Sequence, residues 1–150
     1  MLNFVKKITS LLLIPWLGLL SGNAMAESEN FGDYRVYYQA VNTTFLKADI
    51  ARQYGIVRSD RCAFLNISVM KKQTDGTMQA VAASVSGGKR NLLGQVGDLA
   101  FREIREEKAI YYIGEFEYSN AEIIRFRLEV EPENSGTVHE ISWETRVYNN

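Results

Sequence analysis

The side chains able to do chemistry are few: one cysteine, Cys62, one histidine, His139, and carboxylates at Glu103, Glu106, Glu107, Glu115, Glu117, Glu129 and Glu131. Cys62 follows Arg58-Ser59-Asp60-Arg61, and neighbouring guanidinium groups stabilise a thiolate. A nucleophilic thiol also needs a base, and His139 would have to reach it through the fold, since such pairs are neighbours in space and not in sequence. The plainer readings are a small, partly buried Cys62 and a half-buried, hydrogen-bonded His139 at the start of a strand. Paired carboxylates can cleave glycosidic bonds as acid and base, but most of these glutamates alternate with apolar residues, so a solvated strand face accounts for them better. One thiol and one imidazole do not assemble a zinc site, and neither a metal nor a cofactor is expected. Gly87-Gly88-Lys89-Arg90 lacks the spacing and the following helix of a P-loop and reads, with Asn91, as a basic loop. Asn42-Thr43-Thr44 and Asn66-Ile67-Ser68 fit the glycosylation acceptor pattern, which is common by chance; strand or turn roles are expected.

Whatever positions these residues works outside the cytoplasm. Lys6 and Lys7, the apolar stretch from Ile8 to Leu20 and the small residues Ala24 and Ala26 form the tripartite pattern of a cleavable signal peptide over residues 1–26. The apolar run contains Pro15 and Gly18 and is shorter than the ~20 residues that span a bilayer. Residues 27–150 then form a single domain of ordinary size, with no transmembrane segment after cleavage. The mature charge of −3, 15 basic against 18 acidic residues, argues against nucleic acid, whose binders carry a basic patch or stripe. A lone cysteine closes no internal disulfide.

Most of this domain alternates apolar and polar residues in strand-sized runs. The runs are Tyr34 to Ala40, Ala63 to Lys71, Met78 to Ser86, Gln95 to Glu106, Ile110 to Tyr118, Ile124 to Val130 and Ile141 to Val147. Thr74-Asp75-Gly76 is a hairpin signal. In the fourth run Ile104 falls out of phase with Leu99 and Phe101, which predicts a β-bulge near Arg102 or Glu103. Leu46, Ile50 and Tyr54 recur at helical spacing before Gly55, predicting one short helix over Lys47 to Tyr54. Pairing the fifth and sixth runs with Phe116 opposite Phe126 sets Glu117 beside Arg125 and Glu115 beside Arg127. Glu27 to Asn30 reads as a mobile polar leader. Seven strands without βαβ alternation predict an all-β fold, a two-sheet antiparallel sandwich of immunoglobulin-like type, with a flattened barrel as the alternative. Tyr37, Tyr111 and Tyr148 have outward parity, good material for a binding face or for packing under the helix; Tyr34, Tyr38 and Tyr112 point inward.

The wording Phe31-Gly32-Asp33-Tyr34, Tyr38, Asn42, Phe45-Leu46, Tyr54-Gly55-Ile56, Arg58-Ser59, Asn66-Ile67-Ser68-Val69 and Ile110-Tyr111-Tyr112-Ile113 resembles a bacterial family known as domain of unknown function 4426. The resemblance runs over the whole mature chain and implies a short exported protein of Gram-negative bacteria, in the periplasm, with no assigned activity. Its matching positions concentrate between Phe31 and Val69 and away from the acids, the histidine and the cysteine. That points to a binding surface at Asn42, Phe45, Tyr54, Arg58 and Asn66. The function expected is a non-catalytic binding or assembly module that takes a periplasmic protein partner, on this surface or along an exposed strand edge. The rival is a small enzyme using Cys62 or paired carboxylates; a carrier of lipid or small molecules ranks last, because the aromatic inward faces fill the space between the sheets.

Overall fold

A computed structural model of the chain describes residues 26–149. Apart from Ala26, the segment expected as a signal peptide lies outside the described residues. Ten strands and one helix follow: β1 (Glu27–Phe31), β2 (Tyr34–Asn42), α1 (Ala48–Gln53), β3 (Cys62–Lys72), β4 (Met78–Ala80), β5 (Ala83–Asn91), β6 (Val96–Asp98), β7 (Phe101–Arg105), β8 (Ile110–Glu117), β9 (Glu122–Pro132) and β10 (His139–Val147). They form two antiparallel sheets, ordered β1-β2-β3-β8-β7, with β4 also on β3, and β10-β9-β5-β6. The sandwich expected from alternation is the architecture found.

Alternation works as a guide because one face of each strand enters a shared core. Val36, Tyr38, Leu65, Ile67 and Tyr112 of the first sheet meet Phe126, Leu128, Val130, Ile141 and Trp143 of the second, all buried. The other face of the first sheet is covered too. Leu46, Ala51 and Ile56, in and around α1, pack on Val41, Phe64, Tyr111 and Ile113. The helix has no side-chain N-cap and is too short to stand alone, so this burial holds it; it ends, as its sequence predicts, at Gly55 with φ 65°.

The helical cover also removes the expected bulge. The pairing of β7 with β8 is uninterrupted from Phe101 opposite Gly114 to Arg105 opposite Ile110, and Ile104 is out of phase because it faces the helix-side cluster while Phe101 faces the core. Three further expectations change. Glu27 to Asn30 is part of β1, paired along β2 from Glu27 opposite Tyr38 to Phe31 opposite Tyr34. The runs Met78 to Ser86 and Gln95 to Glu106 each cross between sheets, so each counts as two strands. Gly87 to Asn91 is no loop: it completes β5, against Leu128 to Ile124 of β9.

The fifth and sixth runs are not hairpin partners. The first of them, β8, lies between β3 and β7, and the second, β9, between β10 and β5. Phe116 and Phe126 meet instead across the sandwich, ring centroids 5.2 Å apart and edge-on. Arg125 and Arg127 take Glu144 (2.8 Å) and Glu140 (2.6 Å) of β10, while Glu115 takes Arg102 of β7 at 3.6 Å.

Burial of phenols gives the fold an alkaline limit. Burial, then Glu29 and Glu27, pushes Tyr38 up to about 12; burial, then the hydrogen bond to Glu106, pushes Tyr54 up to about 12. Both start from 10.0. Between these values the unfolded chain has lost the two protons that the fold retains, so stability present below about pH 10 falls as pH rises towards 12. Urea unfolding is expected to show a midpoint that drops across this window, less steeply in Tyr54→Phe; a flat midpoint would contradict it.

Candidate functional site

Cys62 and His139, the two residues a thiol enzyme would need together, stand at opposite ends of the molecule. Cys62 opens β3, whereas His139 stacks on Phe31 at 4.4 Å, and Phe31 pairs with Tyr34, which pairs with Lys71 near the end of β3. Nine residue steps at ~3.3 Å put them about 30 Å apart. The Cys62 thiol forms no hydrogen bond among the described residues. The carboxylates are equally dispersed: Glu103 is engaged by Arg105 and Tyr112, Glu115 by Arg102 and Glu106 by Tyr54. Glycosidase chemistry wants one carboxyl raised towards neutrality, yet the carboxylates with shifted values move down. Arg105 lowers Glu103. Burial raises Glu122, but hydrogen bonds from Ser119 and Asn91 outweigh it. Among the described residues no three His, Cys, Asp or Glu converge as metal ligands.

The features that do converge lie at the end of the sandwich where β2 and β8 finish and β3 and β9 begin. A polar cleft of about 800 Å³ opens there between the sheets, with Arg61, Cys62 and Tyr118 on one side and Lys89, Asn91 and Glu122 on the other. On the helix side of the cleft, a 3-10 turn, Thr43–Phe45, is clamped to the loop before β3. The Thr43 hydroxyl, fully buried, shares its proton between the carbonyls of Ser59 and Cys62, both at 3.0 Å, and accepts from the Ser59 N–H at 2.9 Å. Asn42 donates to the Tyr148 carbonyl at 2.7 Å, and Arg58 to the Thr44 carbonyl at 3.2 Å. The outcome is a fixed frame that leaves Phe45 57%, Val57 73% and Tyr148 54% exposed. Of the eight large apolar residues exposed among the described residues, six sit at this end: these three with Leu92, Leu93 and Val96.

The structure thus joins three of the five predicted surface residues, Asn42, Phe45 and Arg58, and separates two. Tyr54 caps the far end of α1, half-buried, its hydroxyl on Glu106. Asn66 is no surface group: it is 6% exposed within β3, its Oδ1 without a hydrogen-bond partner. Tyr111, read as outward, is buried under the helix-side cluster, the packing alternative for that residue, while Tyr148 stays open. Sequence reasoning missed Val57 and the β5–β6 tip. The signal for the tip was present in Asn91-Leu92-Leu93-Gly94, two leucines where a turn calls for polar residues.

The architecture defines the class: an antiparallel two-sheet sandwich with a helix on one outer face, and no helix among the described residues long and apolar enough to cross a membrane. The chain belongs to the family described as Domain of unknown function (DUF4426), whose family model matches residues 28–150. Among solved structures it is similar to a DUF4426 family protein from Pseudomonas aeruginosa PAO1, with 30% identity, 83% of this chain and 96% of that chain covered, and a TM-score of 0.72. It also shares its fold with FetP of uropathogenic Escherichia coli strain F11, recombinantly expressed in the periplasm, at 10% identity, 85% and 96% coverage and a TM-score of 0.60. A copper-bound variant of FetP matches at 11% identity, 85% and 97% coverage and a TM-score of 0.59. No curated protein matches the chain.

Proposed function

We propose that this protein is a non-catalytic binding module of the periplasm that engages a protein partner through the clamped turn at the cleft end, with Phe45 as the central contact and Val57, Arg58 and Tyr148 around it. The observation that carries the reading is the exposure of Phe45, Val57 and Tyr148 on a frame held by Thr43, Asn42 and Arg58. Aromatic residues and arginine on rigid backbone are the usual anchors of protein interfaces. A strand-edge partner is supported less well, because edge strands carry exposed charges, Glu140, Glu144 and Arg146 on β10, Glu27 on β1 and Arg102, Glu103 and Arg105 on β7, a pattern that discourages strand addition. The periplasmic location rests on the signal-peptide pattern and on the likeness to FetP. The enzyme alternative is supported less well: His139 lies at the far end of β3 from Cys62, and Glu117, opposite Cys62 on β8, makes no hydrogen bond to its thiol.

In-cell crosslinking of the tagged protein in its native periplasm tests the proposal. Phe45→Ala is expected to reduce capture of a specific partner by roughly ten-fold or more, as for a hot-spot aromatic, with the thermal midpoint unchanged because the ring is exposed. Arg58→Ala should act in the same direction through loss of its bond to Thr44. Capture that survives both substitutions in folded protein rejects this surface.

A further inference from the structure

The other half of the exposed apolar surface at this end has a different form. Leu92, Leu93 and Val96 are 71%, 85% and 77% exposed at the tip joining β5 to β6. The tip is stiff. The Asn91 N–H donates to the Gln95 carbonyl at 3.1 Å and the Gly94 N–H to the Asn91 carbonyl at 3.0 Å, with Gly94 at φ 81°. The Asn91 side chain accepts from the Gln95 N–H at 2.9 Å and donates to Gln95 Oε1 at 2.7 Å and Glu122 Oε1 at 3.0 Å. The two leucines occupy the centre of this turn with their side chains in solvent. A convex aliphatic tip fits a deformable apolar medium better than a shaped protein pocket.

Arginines flank it on the outer face of the second sheet. Arg90 lies beside Arg125 across the β5–β9 ladder, and Arg146 opens outward beside Ile123. Neither Arg90 nor Arg146 forms an ion pair among the described residues. Of the acids at this end of the second sheet, Glu122 is engaged by Asn91 and the Ser119 N–H and Glu144 by Arg125, while Asp98 lies on β6 opposite Gly88.

We propose that the β5–β6 tip is a membrane-docking element: Leu92, Leu93 and Val96 enter the interface of an anionic bilayer while Arg90 and Arg146 meet its headgroup phosphates. Each buried aliphatic side chain adds to the partition, and each cation near an anionic surface adds a smaller, salt-sensitive increment. Docking by this tip sets the cleft mouth against the lipid surface and leaves the Phe45 side of the same end at the water boundary. The inference is independent of the protein-partner reading.

The test is flotation of the mature protein, recovered from the periplasm after export, with vesicles of phosphatidylglycerol and phosphatidylethanolamine and with phosphatidylcholine alone. Wild type is expected to float with the anionic vesicles, less so at high salt. The double substitution Leu92→Asp with Leu93→Asp is expected to weaken binding roughly ten-fold or more, and Arg90→Glu several-fold, with circular dichroism and the thermal midpoint unchanged. Phe45→Ala should leave vesicle binding intact, and the aspartate pair should leave partner capture intact, so the two proposals fail separately. Folded wild type that ignores anionic vesicles, equal flotation of wild type and the aspartate pair, or a Leu92- and Leu93-dependent dimer without vesicle binding would each overturn the proposal.

Discussion

Gly87→Ala is expected to open the second sheet. A Cβ at this position would sit 2.2 Å from the Arg127 carbonyl oxygen and 2.9 Å from the Leu128 Cα, both backbone atoms of the neighbouring strand, and it would do so at φ 148°, where side chains are rarely accommodated. No rotamer change relieves a clash with a main-chain oxygen. The strands must separate, and β5 is the strand through which β6 attaches to β9. The cost belongs at the upper end of overpacking penalties, about 3 kcal/mol. Gly114→Ala is the informative comparison, since its Cβ meets only the Phe101 ring, at 2.8 Å, a side chain at an edge strand that can shift. Gly97→Ala meets nothing nearer than the Lys89 side chain at 3.7 Å and is expected to lie within ~1 kcal/mol of wild type. Urea unfolding of the three variants should rank Gly87 well above Gly114, and Gly114 above Gly97. Equal midpoints for Gly87→Ala and Gly97→Ala would contradict the close approach of β5 to β9.

The same glycine shows what kind of information a sequence carries. Alternation identified the strands wherever one face was apolar, because burial of that face is what makes the strand. Gly87 and Gly88 have no side chains with which to alternate, and the reason for glycine at 87 lies on β9, far along the chain, while a Cβ at 88 would meet the Gly97 carbonyl of β6. The splitting of Met78 to Ser86 and of Gln95 to Glu106 was hidden similarly, since a strand that changes sheet keeps its inward residues inward. Ile104 was visible as an anomaly, but its cause was a helix on the outer face, which no local pattern specifies. At the candidate site, the exposure of Phe45 and Arg58 was legible because the segments joining strand and helix run over the surface. Asn66 and Tyr54 were not distinguishable from them by residue type. Their burial depends on what covers them: in Asn66's case the packing of a central strand, and in Tyr54's the approach of Glu106 from the segment before β8.

Phe126→Ala tests how the two sheets are joined. The charge pattern allowed Arg125 and Arg127 to pair with Glu117 and Glu115, but β10 offers acids of its own, and nothing in the local pattern ranks one set over the other. The core decides. Phe126 is fully buried, 4.9 Å from the Trp143 ring beside it in the second sheet and 5.2 Å from the Phe116 ring in the first, and Trp143 in turn meets Tyr38 at 4.5 Å. These rings are the continuous contact between the layers, so truncation leaves a cavity that rigid strands cannot close. The expected loss is about 3–5 kcal/mol, a large part of the ~5–15 kcal/mol that holds a domain of this size, with an altered Trp143 fluorescence in the folded state. A cycle with Phe116→Ala should return a coupling of roughly 0.5–1.5 kcal/mol from the edge-on ring pair, whereas a cycle of Arg125 with Glu117 should return none and one with Glu144 a few tenths, in proportion to an exposed pair. Coupling between Arg125 and Glu117 would restore the hairpin pairing, and a Phe126→Ala cost below about 1.5 kcal/mol would place the ring outside the core. Because Phe45 and Leu93 stand clear of this cluster, substitutions there leave it whole, which is why a change in partner capture or vesicle binding at either position reports on the surface and not on the fold.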